Sequence, residues 1–182
     1  FTDGSESSTR VFLDLNGESS SAPEALTPVG DLLFFVAENP VTGEHDLWRT
    51  DGTLEGTFVP QNITSGSGNI LRDLTPVGDL LYFVAQGGRY LFRSDGTTEG
   101  TYRLSSTETG PEDVAELTVF DGHVFFRGTS PKESWDDEED TELWVSDGTE
   151  QGTRLHADLN PDESSQPHQL TVTSQGLVFF ID

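Results

Sequence analysis

The chain has no cysteine and no methionine, and Lys132 is its only lysine. Without cysteine there is no disulfide framework, no zinc–thiolate site and no thiol nucleophile, and the redox compartment is left open. Helical patterning is missing as well, since no window repeats apolar residues at helical spacing over three turns. No apolar run approaches the length of a membrane-crossing helix, so membrane insertion is not expected. Basic charge is the last scarcity. Nine Lys and Arg face 33 Asp and Glu, for a net charge of -24. Such a field repels polyanions, which disfavours nucleic acid and anionic lipid surfaces as partners. The abundant carboxylates have two readings: a solvated, halophile-like surface suited to high ionic strength, or oxygen ligands for a divalent cation, Ca²⁺ above all.

What the chain does contain is repetition. An Asp-Gly pair between hydroxyl residues recurs at Asp3-Gly4, Asp51-Gly52, Asp95-Gly96 and Asp147-Gly148. In the last three copies the phrase continues to a second Gly-Thr, at Gly56-Thr57, Gly100-Thr101 and Gly152-Thr153. A second phrase keeps step: Leu26-Thr27, Leu74-Thr75, Leu117-Thr118 and Leu170-Thr171, each followed by an aromatic pair, Phe34-Phe35, Tyr82-Phe83, Phe125-Phe126 and Phe179-Phe180. Asp-to-Asp spacings of 44 to 52 residues point to a solenoid, propeller or array.

Each unit reads as four short strands. In the second, Leu74–Val77 and Leu80–Ala85 flank the tight turn Gly78-Asp79, Tyr90–Ser94 follows, and the Asp95-Gly96 turn leads into Thr101–Leu104. Aromatic and β-branched residues fill the strands, and Gly, Asp and Ser fill the gaps. Linkers such as Ser105–Glu116 are too long for hairpins and suit a crossing to the next sheet. The fold expected is all-β, a single domain over 1–182: a four-bladed β-propeller of four-stranded antiparallel blades. The units run roughly 26–59, 74–104, 117–155 and 170–182. The last is completed by 1–15, so that one blade is shared between the termini. A fragment of a longer repeat array, or a subunit of a larger assembly, is the alternative.

The segments Leu47-Trp48-Arg49-Thr50-Asp51-Gly52-Thr53 and Glu142-Leu143-Trp144-Val145-Ser146-Asp147-Gly148-Thr149 closely resemble the signature of the bacterial ELWxxDGT repeat family. The copy at Tyr90–Thr97 departs from it with Tyr for Glu and Phe for Trp, and the first keeps only Asp3-Gly4-Ser5. The resemblance implies an exported or surface-associated protein, extracellular or on the cell surface, with no assigned catalytic activity.

Within the phrase, Asp3, Asp51, Asp95 and Asp147, with Gly52, Gly96 and Gly148, read as turn builders rather than ligands. An Asp side chain caps backbone amides two residues on, and Gly supplies positive φ. Trp48, Phe92 and Trp144 read as packing residues. Function is expected in what the repeats do not share. The largest departure is the link Ser130–Asp140, where Trp135 stands beside Asp136, Asp137, Glu138, Glu139 and Asp140. It is a candidate ligand-binding loop and a candidate Ca²⁺ site, set against a merely solvated charge run. His45, in the link Glu38–Asp46, is the other candidate ligand-binding residue.

The four histidines show no metal-ligand spacing, and no nucleophile motif is present. The function expected is therefore a non-catalytic binding, adhesion or structural module facing a glycan or a surface protein. A polysaccharide-active enzyme, glycosidase or lyase, with its site at the mouth of a central channel, is the second reading.

Overall fold

Alternating apolar residues separated by turn formers make hairpins here, and hairpins stack. The computed structural model describes residues 5–8, 13–15, 17, 20–63, 71–105, 110–131, 139–161 and 163–180. Among them it is all-β, with one 3-10 turn at Glu6–Ser8 and no α-helix. The first sheet holds β1 (Glu24–Val29), β2 (Leu32–Glu38) and β3 (His45–Thr50). The second holds β4 (Arg72–Val77), β5 (Leu80–Ala85), β6 (Tyr90–Ser94) and β7 (Tyr102–Arg103). The third holds β8 (Glu112–Phe120), β9 (His123–Thr129), β10 (Thr141–Ser146) and β11 (Arg154–Ala157), and the fourth β12 (His168–Thr173) and β13 (Gly176–Phe180). Every sheet is an antiparallel meander in chain order. In the first, a lone bridge from Arg49 to Phe58 stands where a fourth strand is expected.

The first strand of every sheet carries the same irregularity. Ala25, Asp73, Glu116 and Gln169 each have positive φ, and the register shifts there before pairing resumes at Thr27, Thr75, Thr118 and Thr171. That Thr donates its hydroxyl to the carbonyl of the positive-φ residue in all four copies, at 2.8 to 3.2 Å. The recurring Thr is thus the clamp of a β-bulge, which kinks and twists the strand.

In the fourth sheet the hairpin turn is Ser174-Gln175, because Thr173 pairs with Gly176. Val178, opposite Thr171, therefore takes the place of Phe34 and Tyr82, and Phe179 that of Phe35 and Phe83. The sequence phrase Phe179-Phe180 is one residue out of register with the other aromatic pairs.

Because side chains alternate across a strand, each inner sheet has two apolar faces. Phe34 and Leu47 pack on Leu81, Phe83 and Phe92. Tyr82, Val84 and Leu91, on the opposite side of the second sheet, pack on Val124, Phe126 and Trp144. Phe125, Leu143 and Val145 meet Leu177 and Phe179 of the fourth. First strands lie side by side in the same order, β1 by β4, β4 by β8 and β8 by β12.

Among the described residues no sheet closes the row into a ring. β12 is not among the strands packed closely on β1, and β13 pairs only with β12 among the described strands. Asp3, Gly4 and most of the segment 1–15 expected to complete the fourth unit lie outside the described residues.

Packing inside each Asp-Gly phrase leaves no room for a side chain at its second glycine. A methyl group on Gly100 would lie 2.0 Å from Oδ1 of Asp95. Gly100→Ala should therefore destabilise the protein by about 1–3 kcal/mol in denaturant unfolding. Asp95→Ala in the same chain should remove the clash, so that the double variant loses less than the sum of the singles.

Candidate functional site

The repeated phrase is consumed by its own hydrogen bonds. Oδ1 of Asp95 accepts from Thr97 N at 2.9 Å and Thr97 Oγ1 at 2.7 Å. Gly100 N donates to Thr97 Oγ1, and Thr101 Oγ1 donates to the Thr97 carbonyl. Gly96 N donates to Ser94 Oγ, which also meets Thr101 Oγ1 at 2.6 Å. Asp51 and Asp147 organise the same set of bonds with Thr53 and Thr149.

These bonds favour the charged carboxylate. At Asp51 and Asp147 the Thr hydroxyl, then the Thr amide, holds the acid below its ordinary pKa. At Asp95 burial pushes the carboxyl up, but the two Thr97 bonds and Arg93 outweigh it and the acid is again lowered.

The first glycine of the phrase, at positive φ, seats the turn on the sheet before it. A methyl group on Gly96 would meet Leu32 Cδ1 at 2.5 Å, and one on Gly148 would meet the Tyr82 hydroxyl at 2.7 Å. Arg93 Nη1 and the Tyr102 hydroxyl both donate to the Gly148 carbonyl, at 3.0 and 3.3 Å. Arg93 stacks over Tyr102 as Arg49 stacks over Phe58.

Trp144 and Phe92 are buried between sheets, while Trp48 is half-buried and stacked on Phe35 with ring centres 6.4 Å apart. Trp48 Nε1 donates to the Ala37 carbonyl, and Trp144 Nε1 makes the equivalent bond to Gly128. The residue two before each Trp is also inward. Glu142 is fully buried and accepts from Leu159 N, Ser165 N and Ser165 Oγ of the linker to the fourth sheet. Asp46, its counterpart, is equally buried and accepts from Asn39 Nδ2 at 2.7 Å.

Of the candidate ligand and metal residues, Trp135, Asp136, Asp137 and Glu138 lie outside the described residues. Glu139 and Asp140 do not stand alone. They line a groove of about 190 Å³ with Asp158, Asn160, Pro161, Glu163 and Ser164. Burial, then the charges of Glu142 and Asp158, push the Asp140 carboxyl above its ordinary pKa. Sequence reading missed Asp158 and Glu163, which sit in the linker to the fourth sheet and meet the Ser130–Asp140 loop only through the fold. Among the described residues no group of three or more His, Asp or Glu is arranged to hold a metal.

His45 is exposed at the start of β3, next to the Asn39–Glu44 loop whose Val41 is 90 % exposed. The other histidines are scattered. His156 packs edge-on against Phe125, while His123 and His168 face carbonyls of their own hairpins, Asp121 and Gln166. Comparison with protein-family models, curated proteins and solved structures gives no match.

Lowered carboxylate pKa values tie stability to pH in one direction. The contribution of Asp95 and Asp147 is fully present above the unfolded-state pKa, near 4, and is lost as pH falls through the lower folded value. Thr97→Val should cost about 1 kcal/mol at pH 7. Melting curves of variant and parent should converge as the pH is taken down through about 3.

Proposed function

We propose that the sheets are blades of a four-bladed β-propeller in which the Asp3-Gly4 phrase completes the fourth blade. The chain would serve as a non-catalytic binding, adhesion or structural module outside the cell or on its surface, of the ELWxxDGT kind. One observation carries the reading: every hydroxyl, carboxylate and glycine of the described phrases is spent on its own turn or on the neighbouring sheet. The repeat therefore supports a surface and offers no reactive group of its own.

Individuality lies in the loops between second and third strands. One presents Val41 and His45. Another brings Glu139 and Asp140 to the groove shared with Asp158 and Glu163. A net charge of -24 keeps such a surface soluble and turns it toward cations, neutral glycans or basic protein patches.

A glycan and protein array, probed at several salt and calcium levels, should give reproducible binding without hydrolysis of any bound glycan. A bare array throughout would remove the binding module, and released reducing sugar would replace it with an enzyme. For Ca²⁺ the expected result is a melting temperature raised by millimolar calcium over chelator, the linkage of a ligand held only by the folded state. The increment should shrink in Asp140→Asn and Asp158→Asn. An unmoved melting curve would dismiss the cation.

A further inference from the structure

Asp-Gly is among the least durable pairs in a protein chain. Glycine's bare Cα lets its backbone nitrogen reach the carboxyl carbon of the Asp before it. The repeat is built on that pair. Among the described residues it occurs at Asp51-Gly52, Asp95-Gly96, Asp121-Gly122 and Asp147-Gly148. Three of these belong to the repeated phrase, and Asp121-Gly122 is the hairpin turn between β8 and β9.

The repeated phrase restrains both partners of that reaction. The Asp95 carboxylate faces forward, held by Thr97 N at 2.9 Å and Thr97 Oγ1 at 2.7 Å. Gly96 N, the atom that would attack, donates to the buried Ser94 Oγ at 3.0 Å. A Cβ on Gly100 would fall on the Asp95 carboxyl group, so the carboxylate has no room to swing on that side. Asp51 and Asp147 are held in the same way, with Gly52 N on Thr50 Oγ1 and Gly148 N on Ser146 Oγ. All three carboxyls are also held below the ordinary carboxylate pKa. An ionised carboxylate gives up an oxygen as water only slowly.

Asp121-Gly122 has none of these restraints. Both residues are exposed at the tip of a two-residue turn closed by the Phe120–His123 pair, and both have positive φ, 49° and 74°. The Asp121 carboxylate accepts no hydrogen bond from the described residues. Beyond its chain neighbours, nothing lies within 4 Å of where a Cβ of Gly122 would stand. What is held here is the backbone. His123 Nδ1 lies 2.8 Å from the Asp121 carbonyl oxygen. A carbonyl only accepts, so the imidazole carries a proton on Nδ1 and donates it to this bond. That oxygen belongs to the peptide group whose nitrogen is Gly122 N. A donor placed there stabilises the negative charge that spreads onto the oxygen when the nitrogen loses its proton, so the attacking anion forms more readily.

We propose that Asp121 is a site of spontaneous isoaspartate formation assisted by His123, and that Thr53, Thr97 and Thr149 guard the repeated Asp-Gly pairs against the same change. Gly122 N loses its proton and bonds to Asp121 Cγ, one carboxyl oxygen leaves as water, and a succinimide ring closes. Water then adds to one of the two ring carbonyls. Addition at Cγ restores Asp121. Addition at the main-chain carbonyl leaves the chain running through Cβ and Cγ, an isoaspartyl residue of unchanged mass. The backbone is then one atom longer in a turn whose length is set by the pairing of Phe120 with His123, so the β8–β9 hairpin loosens at its tip.

The intact chain is held folded in neutral buffer made with heavy-oxygen water and digested with trypsin. Incorporated oxygen and isoaspartate are then located by fragmentation mass spectrometry. Both should accumulate at Asp121, in the Leu104–Arg127 peptide. The rate there should be at least about tenfold above that at Asp51, Asp95 or Asp147, because at the clamped sites hydrogen bonds to a charged group must break first. In the chain unfolded with guanidinium the four rates should draw together. Thr97→Val, checked as folded by circular dichroism, should raise the rate at Asp95 severalfold and leave Asp51 and Asp147 as they were. His123→Phe should slow the change at Asp121 alone.

Isoaspartate absent from Asp121, or equal at all four pairs in the folded chain, overturns the inference. A contrast that survives unfolding overturns it as well, because it then comes from the neighbouring residues in sequence and not from the fold. No rise at Asp95 in Thr97→Val sinks the guarding role of the threonines. An unchanged rate in His123→Phe sinks the assistance of the imidazole.

Discussion

The contact on which the structure depends is between an Asp carboxylate and the glycine five residues on. With Oδ1 of Asp51, Asp95 or Asp147 sitting 2.0 Å from where a Cβ of Gly56, Gly100 or Gly152 would be, the turn closes only over a bare Cα. That closeness lets the Thr between them bond the carboxylate with both amide and hydroxyl, and it sets the angle at which the third strand turns. The first glycine then finds itself on the outside of a rigid, narrow tip. At positive φ and without a side chain, Gly96 and Gly148 can press against the preceding sheet. One short phrase thus closes a hairpin and spaces the next joint.

The rest of the architecture follows from repetition of that joint. Each inner sheet offers one apolar face to the sheet before it and another to the sheet after it, so burial is shared between neighbours rather than gathered in one core. Such a stack depends on nearest-neighbour terms, as repeat proteins do. Arg93 strengthens one joint by stacking on Tyr102 and donating to the Gly148 carbonyl, and Val145 takes its place in the third copy. Buried Glu142 ties the linker to the fourth sheet by accepting its amides. A buried carboxylate is tolerable there because its oxygens are satisfied by three donors.

Much of this was legible in the residues. β5 and β6 match the segments expected from the second unit, because alternation and turn chemistry are local signals. The bulges were not legible. Positive φ falls on Ala25, Asp73, Glu116 and Gln169, four residue types with nothing in common, while the clamp is a Thr two positions on. The register of the fourth sheet was misread for a related reason: two adjacent phenylalanines looked like the aromatic pair, and only pairing across the hairpin shows that Val178 and Phe179 hold those places. The candidate site was half visible. Glu139 and Asp140 stood out as part of an acid run, whereas Asp158 and Glu163 carry no local mark.

By itself the sequence determined most of the strands, the period and the role of the Asp-Gly-Thr phrase as a turn, since each rests on bonds between residues a few positions apart. Tertiary structure alone decided which sheet face meets which, that Glu142 and Asp46 are buried anchors, and that Val178 and Phe180 of the fourth sheet are exposed where their counterparts in the first and second sheets are buried. Those outcomes depend on how far each sheet turns against the last. That rotation is the sum of bulges, seated glycines and packed rings from segments forty or more residues apart.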